Sequence, residues 1–145
     1  MDLIEALAAA PGVYLGQETT HEGDQDHVGV ARVVVTALPG GAGVTLDYQV
    51  LTSDGRLAHD EHAVLTRTAG GVVLLTAHSH APVAALVQED GAEAGWFPAP
   101  ADAAPFPMAV RVEVPEPGHL VYSWSYAAPG QELAVRDVAD VRLVG

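Results

Sequence analysis

After residue 12 the sequence is a succession of short runs in which apolar and polar residues alternate. This period of two is typical of β-strands, because successive side chains of a strand point to opposite faces. Turn signals such as PGGAG at 39–43, SDG at 53–55 and PEPG at 115–118 separate the runs. No later run has helical spacing long enough to connect parallel strands, so we expect an antiparallel meander. The predicted strands lie near 13–20, 27–38, 43–52, 56–67, 71–79, 82–89, 94–98, 107–114, 119–127 and 132–144.

The alternation also predicts which face of a strand is buried. The apolar faces comprise Val44, Leu46, Tyr48 and Val50 in one strand, Met108, Val110, Val112 and Val114 in a second, and Leu120, Tyr122, Trp124 and Tyr126 in a third. The opposite faces are polar, with Ser123 and Ser125 among them. One apolar face per strand over about ten strands predicts an all-β, up-and-down antiparallel barrel, with a β-sandwich as the alternative. A short helix within Asp2 to Ala10 is expected across the barrel mouth, ended by Pro11 and Gly12.

Length and composition exclude several classes of protein. Residues 1–145 are expected to form a single domain, since this length is near the commonest domain size. The absence of cysteine excludes disulfides and thiolate metal sites. This acidic protein has a formal net charge of -13 and would be repelled by nucleic acids and anionic membranes. The N-terminal apolar run is too short for a secretion signal, so we expect a cytoplasmic protein; the sequence also allows a homodimer.

A barrel of this strand number can hold one small molecule, so its interior is the expected functional site. The aromatic ladder Tyr122, Trp124 and Tyr126 is then core and cavity wall at once. An inward-facing ion needs a partner or water. We therefore expect either a partly hydrated interior or mutual neutralisation of Arg136 and a carboxylate such as Glu61.

Two stretches of the sequence that contain histidines are candidates for a metal site or a catalytic site. His78 and His80 share a strand face, as in the first half of the cupin metal motif, but two imidazoles do not complete a metal site. We interpret them as residues of a strand end and turn. In the stretch AHDEHAVL, His59 and Glu61 share one face, whereas Asp60 and His62 share the other. Both faces mix polar and apolar residues, so the alternation leaves open which pair faces inward.

Several segments resemble the nitrobindin family of heme-binding, fatty-acid-binding-protein-like barrels. PGVYLGQ at 11–17 is similar to the opening motif of the family, and DGRLAHDEHAVL at 54–65 is similar to its D-G-x-x-x-H-x-E stretch. LLTAHSHAPVAALVQEDG at 74–91 follows its strand, turn and strand, and HLVYSWSYAAPGQEL at 119–133 resembles its penultimate strand and G-Q-x-L turn. The resemblance implies a calycin-type barrel.

The heme ligand implied by the resemblance is missing. In nitrobindins a histidine of the last strand, shortly after G-Q-x-L, binds the iron, but the segment 134–145 contains no histidine. Gapless matching places Arg136 there, whereas the alternation of the last strand (Leu133, Val135, Asp137, Ala139, Val141, Leu143) turns Asp137 inward. Neither side chain is a good ligand for heme iron.

We therefore expect non-enzymatic binding of a small, largely apolar or aromatic ligand, without a cofactor. The candidate ligand-binding residues are His59, Glu61, Tyr122, Trp124, Tyr126, Arg136 and Asp137. The first alternative, which the resemblance implies, is heme binding with peroxynitrite isomerase activity, for which His59 would be the substitute ligand. The second alternative is a metal-dependent enzyme that uses His78 and His80.

Overall fold

The computed structural model describes residues 2–79, 81–87, 95–100, 106–128 and 130–145. Within them the chain forms one α-helix, a short 3₁₀ turn at Pro39–Gly41 and ten β-strands. The helix α1 is Leu3–Ala8, and the strands are β1 Gly12–Glu22, β2 Gln25–Ala37, β3 Gly43–Leu51, β4 Leu57–Thr68, β5 Gly71–His78, β6 Ala81–Val87, β7 Trp96–Pro98, β8 Met108–Glu116, β9 His119–Tyr126 and β10 Ala134–Leu143.

The strands form one antiparallel sheet that curls into a nearly closed barrel. Their order is β6-β5-β4-β3-β2-β1-β10-β9-β8-β7, so the first and last strands of the chain are neighbours. The two edge strands, β6 and β7, contact one another. The predicted all-β, up-and-down antiparallel barrel is confirmed.

The helix α1 covers one end of the barrel. Asp2 caps it, because its carboxylate accepts a hydrogen bond from the backbone N–H of Glu5 at 2.8 Å, and the carboxylate of Glu5 accepts one from the backbone N–H of Asp2 at 3.0 Å. Ile4 and Leu7 are buried against the core. The predicted N-terminal helix therefore exists, and it is shorter than the stretch from Asp2 to Ala10.

The predicted apolar faces line the barrel interior. The inner residues of β3, together with Met108, Val110 and Val112 of β8, are buried, whereas Val114 is only partly so. The prediction that Ser123 and Ser125 lie on a solvent-exposed face is wrong, because both side chains are buried. Their short side chains lie on the outer face of β9 between residues of β8 and β10.

A β-bulge changes the alternation in β10. Val135 pairs with Ser125 and Asp137 pairs with Trp124, so Arg136 is the additional residue. Beyond the bulge Ala139 and Val141 are buried, as the alternation predicts, but the prediction is wrong for Leu143 at the end of the strand, which is exposed. It is also wrong before the bulge. Val135 is exposed because one added residue reverses the face to which a side chain points, and Leu133 is exposed because it precedes β10.

Candidate functional site

The barrel contains a cavity at the end opposite α1. It has a volume of about 290 Å³ and is lined by Glu18, Thr20, Tyr48, Val50, Ala58, His59, Trp124, Tyr126 and Asp137. A space of about 210 Å³ adjoins it, lined by His59, His78, Phe106, Met108, Trp124, Tyr126 and Asp137. Because the two spaces share four wall residues, we treat them as lobes of one site and call it the barrel cavity.

Glu61 is the centre of a buried hydrogen-bond network behind the cavity wall. Its side chain is 0% exposed. Oε1 accepts hydrogen bonds from Trp124 Nε1 at 2.8 Å and pairs with His59 Nε2 at 2.8 Å. Oε2 accepts from Thr76 Oγ1 at 2.9 Å and from the hydroxyl of Tyr122. Four partners on two oxygens compensate the loss of hydration that would otherwise make a buried carboxylate costly.

The structure resolves which face of β4 is inside. His59 and Glu61 point into the barrel, whereas His62 is on the outside, where its Nδ1 lies 2.6 Å from Asp47 Oδ1. The hydrogen bond to Asp47 raises the pKa of His62. The alternation of 58–65 could not distinguish the two faces because each carries one histidine and one acid.

The ring of His59 is fixed from several sides. The carboxylate of Glu61 holds its Nε2, and the ring centroid lies 4.9 Å from that of Tyr48. On the side of β5 it stacks with His78 at a centroid distance of 5.6 Å. His78 in turn contacts the indole ring of Trp124 at 5.0 Å. These contacts give the cavity a wall of oriented aromatic rings.

Two further carboxyl groups, those of Glu18 and Asp137, lie in the cavity itself. Glu18 of β1 is 6% exposed and accepts a hydrogen bond from Thr20 Oγ1 at 2.7 Å. Asp137 of β10 accepts one from the hydroxyl of Tyr126 at 2.7 Å. Burial raises the pKa of Glu18, and the nearby negative charge of Asp137 raises it further.

Burial also raises the pKa values of the three tyrosines around the site. The nearby carboxylates add to this effect, Glu18 at Tyr48, Glu61 at Tyr122 and Asp137 at Tyr126. The phenols therefore stay protonated at neutral pH and remain hydrogen-bond donors.

The seven candidate residues occupy three different positions. His59, Trp124, Tyr126 and Asp137 line the barrel cavity. Glu61 and Tyr122 lie behind the wall and orient it. Arg136 lines a more open groove of about 430 Å³, here called the outer groove, which shares Thr20 and Tyr126 with the barrel cavity, and its Nε donates to the carbonyl of Tyr126 at 3.4 Å. The expected neutralisation of Glu61 by Arg136 is absent, since Glu61 is bound by His59 and by the uncharged donors Tyr122, Trp124 and Thr76.

Sequence reasoning missed four inward-facing polar residues, Glu18, Thr20, Thr76 and His78. Strand alternation contained a signal for each, because the first two have the parity of buried Tyr14 and the last two have the parity of buried Leu74. His78 ends β5, as predicted, and its ring lines the barrel cavity. His80 lies outside the described residues. In the described part of the chain, no three histidine, aspartate or glutamate side chains are grouped as a metal site would require.

None of the helices in the described ranges has the length and hydropathy needed to span a membrane.

No protein-family model matches the chain, and no curated protein sequence is significantly similar to it. Among solved structures, the crystal structure of Rv2717c from M. tuberculosis is similar to this chain with a TM-score of 0.73 and 19% sequence identity. The match covers 98% of this chain and 97% of that chain. The likeness extends over the whole barrel and shows the fold, an antiparallel β-barrel.

Proposed function

We propose that this protein binds a small, largely apolar or aromatic molecule in the barrel cavity, without catalysing a reaction on it. The observation that supports this most directly is the composition of the cavity wall. Aromatic and aliphatic side chains form most of it, and the polar groups of Glu18, Thr20 and Asp137 are gathered on one side. Apolar walls with a few convergent polar groups are typical of small-molecule sites.

The network around Glu61 supports the same function, because it holds the wall in place before a ligand arrives. Trp124 and His59, which both line the cavity, are each held by Glu61 Oε1. A side chain that is already ordered loses little conformational entropy when a ligand packs against it, and this favours affinity.

The size and charge of the cavity favour a compact ligand over a long fatty acid. The two lobes, of about 290 and 210 Å³, together lie in the lower part of the range usual for ligand pockets. A fatty-acid carboxylate would also approach Glu18 and Asp137, and like charges close together in a partly buried site repel strongly.

Tryptophan fluorescence can test ligand binding. Trp124 lines the cavity, whereas Trp96 lies under the guanidinium of Arg111 at 5.0 Å, so Trp96→Phe isolates the emission of Trp124. We expect compact aromatic compounds to quench this emission saturably. Ala58→Phe should abolish the binding by filling the cavity, whereas Ala37→Phe at an exposed position should leave it unchanged. Equal binding to both variants would refute the proposed site.

Heme binding with peroxynitrite isomerase activity, which the nitrobindin resemblance implies, is the alternative. The residues present fit heme poorly. The Nε2 of His59, the substitute ligand, is engaged by Glu61, and its ring lies between Tyr48 and His78. The apolar porphyrin would also have to lie against the carboxyl groups of Glu18 and Asp137. A metal-dependent reaction has weaker support, because the ring of His78 packs against the rings of His59 and Trp124.

A further inference from the structure

The two buried glutamates of the barrel interior are satisfied very differently. Glu61 has four hydrogen-bond partners on its two oxygens. Glu18 is nearly as buried, but its side-chain neighbours are the hydroxyl of Thr20, which donates to it at 2.7 Å, and a second carboxyl group, Asp137, within hydrogen-bonding reach. Two carboxyl groups satisfy one another only if they share a proton, and an ionised pair retains most of its desolvation cost. Glu61 is thus fully paired within the protein, whereas the pair of Glu18 and Asp137 requires either a proton or a cation from outside the protein.

The surroundings of Glu18 increase this need. A second carboxyl group, Asp137, lines the same cavity, and its charge opposes ionisation of Glu18. No arginine is among the described residues that line either lobe, and the chain contains no lysine. Arg136 precedes Asp137 in the chain, but its Nε is directed to the carbonyl of Tyr126 and its side chain lines the outer groove.

Resting on the ligand-binding function proposed above, we propose that the ligand is a compact aromatic amine, whose protonated nitrogen lies between the carboxyl groups of Glu18 and Asp137. A single ammonium group can donate to both carboxylates at once, and charge-assisted hydrogen bonds of this kind are stronger than neutral ones. The ligand would supply positive charge where the wall offers no arginine or lysine but only the imidazoles of His59 and His78, of which His59 is already paired with Glu61.

The aromatic side chains on the wall independently favour the same ligand. Tyr48, Trp124 and Tyr126 line the lobe that contains both carboxyl groups. The faces of such rings carry negative electrostatic potential and attract a nearby ammonium group. They also provide a flat apolar surface for the aromatic part of the ligand. An anionic ligand would gain nothing from these rings and would be repelled by the carboxylates.

Two other ways of neutralising the carboxyl groups make different predictions. Glu18 and Asp137 could share one proton, with Tyr126 and Thr20 as donors, or Arg136 could turn inward from the outer groove. His59 and Tyr48 also face the pair, and Glu61 lies behind His59. In either case the cavity would be close to neutral and would not distinguish an amine from a neutral compound of the same shape.

Three probes of matched size separate these cases: phenethylamine, phenethyl alcohol and phenylacetate. Their binding can be measured by isothermal titration calorimetry and by Trp124 emission in the Trp96→Phe protein. We expect the amine to bind about tenfold or more tightly than the alcohol, as is usual for charge-assisted hydrogen bonds, and the acid to bind most weakly.

Charge-removing variants locate the effect. Glu18→Gln and Asp137→Asn should each reduce the affinity for phenethylamine toward that for phenethyl alcohol. The affinity for the alcohol should change little, which also shows that the variant cavity is intact. Glu132→Gln, at an exposed position before β10, removes the same charge outside the cavity and should leave all three affinities unchanged.

Each remaining outcome is decisive. Equal affinity for the amine and the alcohol would overturn the inference about charge and leave the ligand-binding function standing. An amine preference that survives in both Glu18→Gln and Asp137→Asn would overturn the assignment of the two carboxyl groups. If none of the three probes binds, both this inference and the proposed function are wrong.

Discussion

Glu61 of β4 accepts the hydroxyl hydrogen of Tyr122 of β9, and this contact joins opposite walls of the barrel through its interior. The two strands are separated by four others in the sheet, so backbone pairing alone does not bring them together. The same carboxylate binds Trp124 and His59 of the cavity wall. One buried acid therefore couples the stability of the barrel to the geometry of its cavity.

Replacing Glu61 should be strongly destabilising. Glu61→Leu leaves the buried donors of Trp124, Tyr122 and Thr76 without an acceptor, so we expect the free energy of unfolding to fall by about 4 kcal/mol. Glu61→Gln should recover part of this loss, because its oxygen can accept from Trp124 while the two hydroxyls rotate to accept from its amide. Urea denaturation measures both values. Glu132→Leu is the exposed control, and a similar loss there would contradict the network.

The pairing of β1 with β10 can be tested at a glycine. A Cβ on Gly16 would lie 2.0 Å from the carbonyl oxygen of Asp140, which is backbone and cannot move aside freely. Gly16→Ala should therefore destabilise the protein by about 1–3 kcal/mol, as overpacking does. The control is Gly70→Ala, where the nearest atom, Thr68 Oγ1, is 3.9 Å away. If both substitutions have the same small effect on urea unfolding, the register of β1 and β10 is wrong.

The raised pKa of Glu18 predicts a dependence of stability on pH. Burial, with the charge of Asp137, raises this pKa above the ordinary value of 4.5, so the folded state retains the proton to higher pH than the unfolded state. The contribution of Glu18 to stability is thus fully present below 4.5 and is lost as the pH rises through the folded-state pKa. The amide of Glu18→Gln does not titrate, so this variant does not lose stability in this way as the pH rises.

We therefore expect Glu18→Gln to gain stability relative to the natural protein as the pH is raised from about 4 to 7. Urea denaturation of both proteins over this range gives the difference directly. Glu132→Gln, which removes an exposed carboxylate, is the matched control. A difference that shrinks with rising pH would mean that Glu18 is stabilised as a carboxylate in the folded protein.

Hemin titration tests the heme alternative. No histidine occurs in residues 120–145, and His59 Nε2 is already bound to Glu61. We expect weak binding without the sharp Soret band of an axially ligated heme. A sharp band at one equivalent of hemin that disappears in His59→Ala would support the heme protein instead. If Asp137→His creates such a band, the match between β10 and the last nitrobindin strand is correct.

Metal analysis tests the third function. The ring of His78 packs between His59 and Trp124, and an incomplete ligand set holds a transition metal weakly. We expect dialysed protein to retain far less than one equivalent of metal by mass spectrometry. Stoichiometric metal that is lost in His78→Ala with His80→Ala would favour the metal-dependent enzyme.

The sequence by itself determined the class of fold and the inner faces of most strands. Alternation is a local property, since neighbouring residues of any strand point to opposite sides. The inner residues of β3, such as Leu46 and Tyr48, could therefore be predicted without knowing which strands pair. Asp137 could also be placed inward, because the residues after the bulge, Ala139 and Val141, keep the alternation.

Only the tertiary structure decided the character of the site. The inward direction of His59 and Glu61, the bulge at Arg136 and the partners of Glu61 depend on how strands distant in sequence are aligned. A shift of one residue in that alignment would reverse the faces. Likewise, the sequence shows Glu18 and Glu61 as equivalent acids. The fold surrounds one with four partners and leaves the other beside a second carboxyl group, because burial and charge arise from three-dimensional proximity.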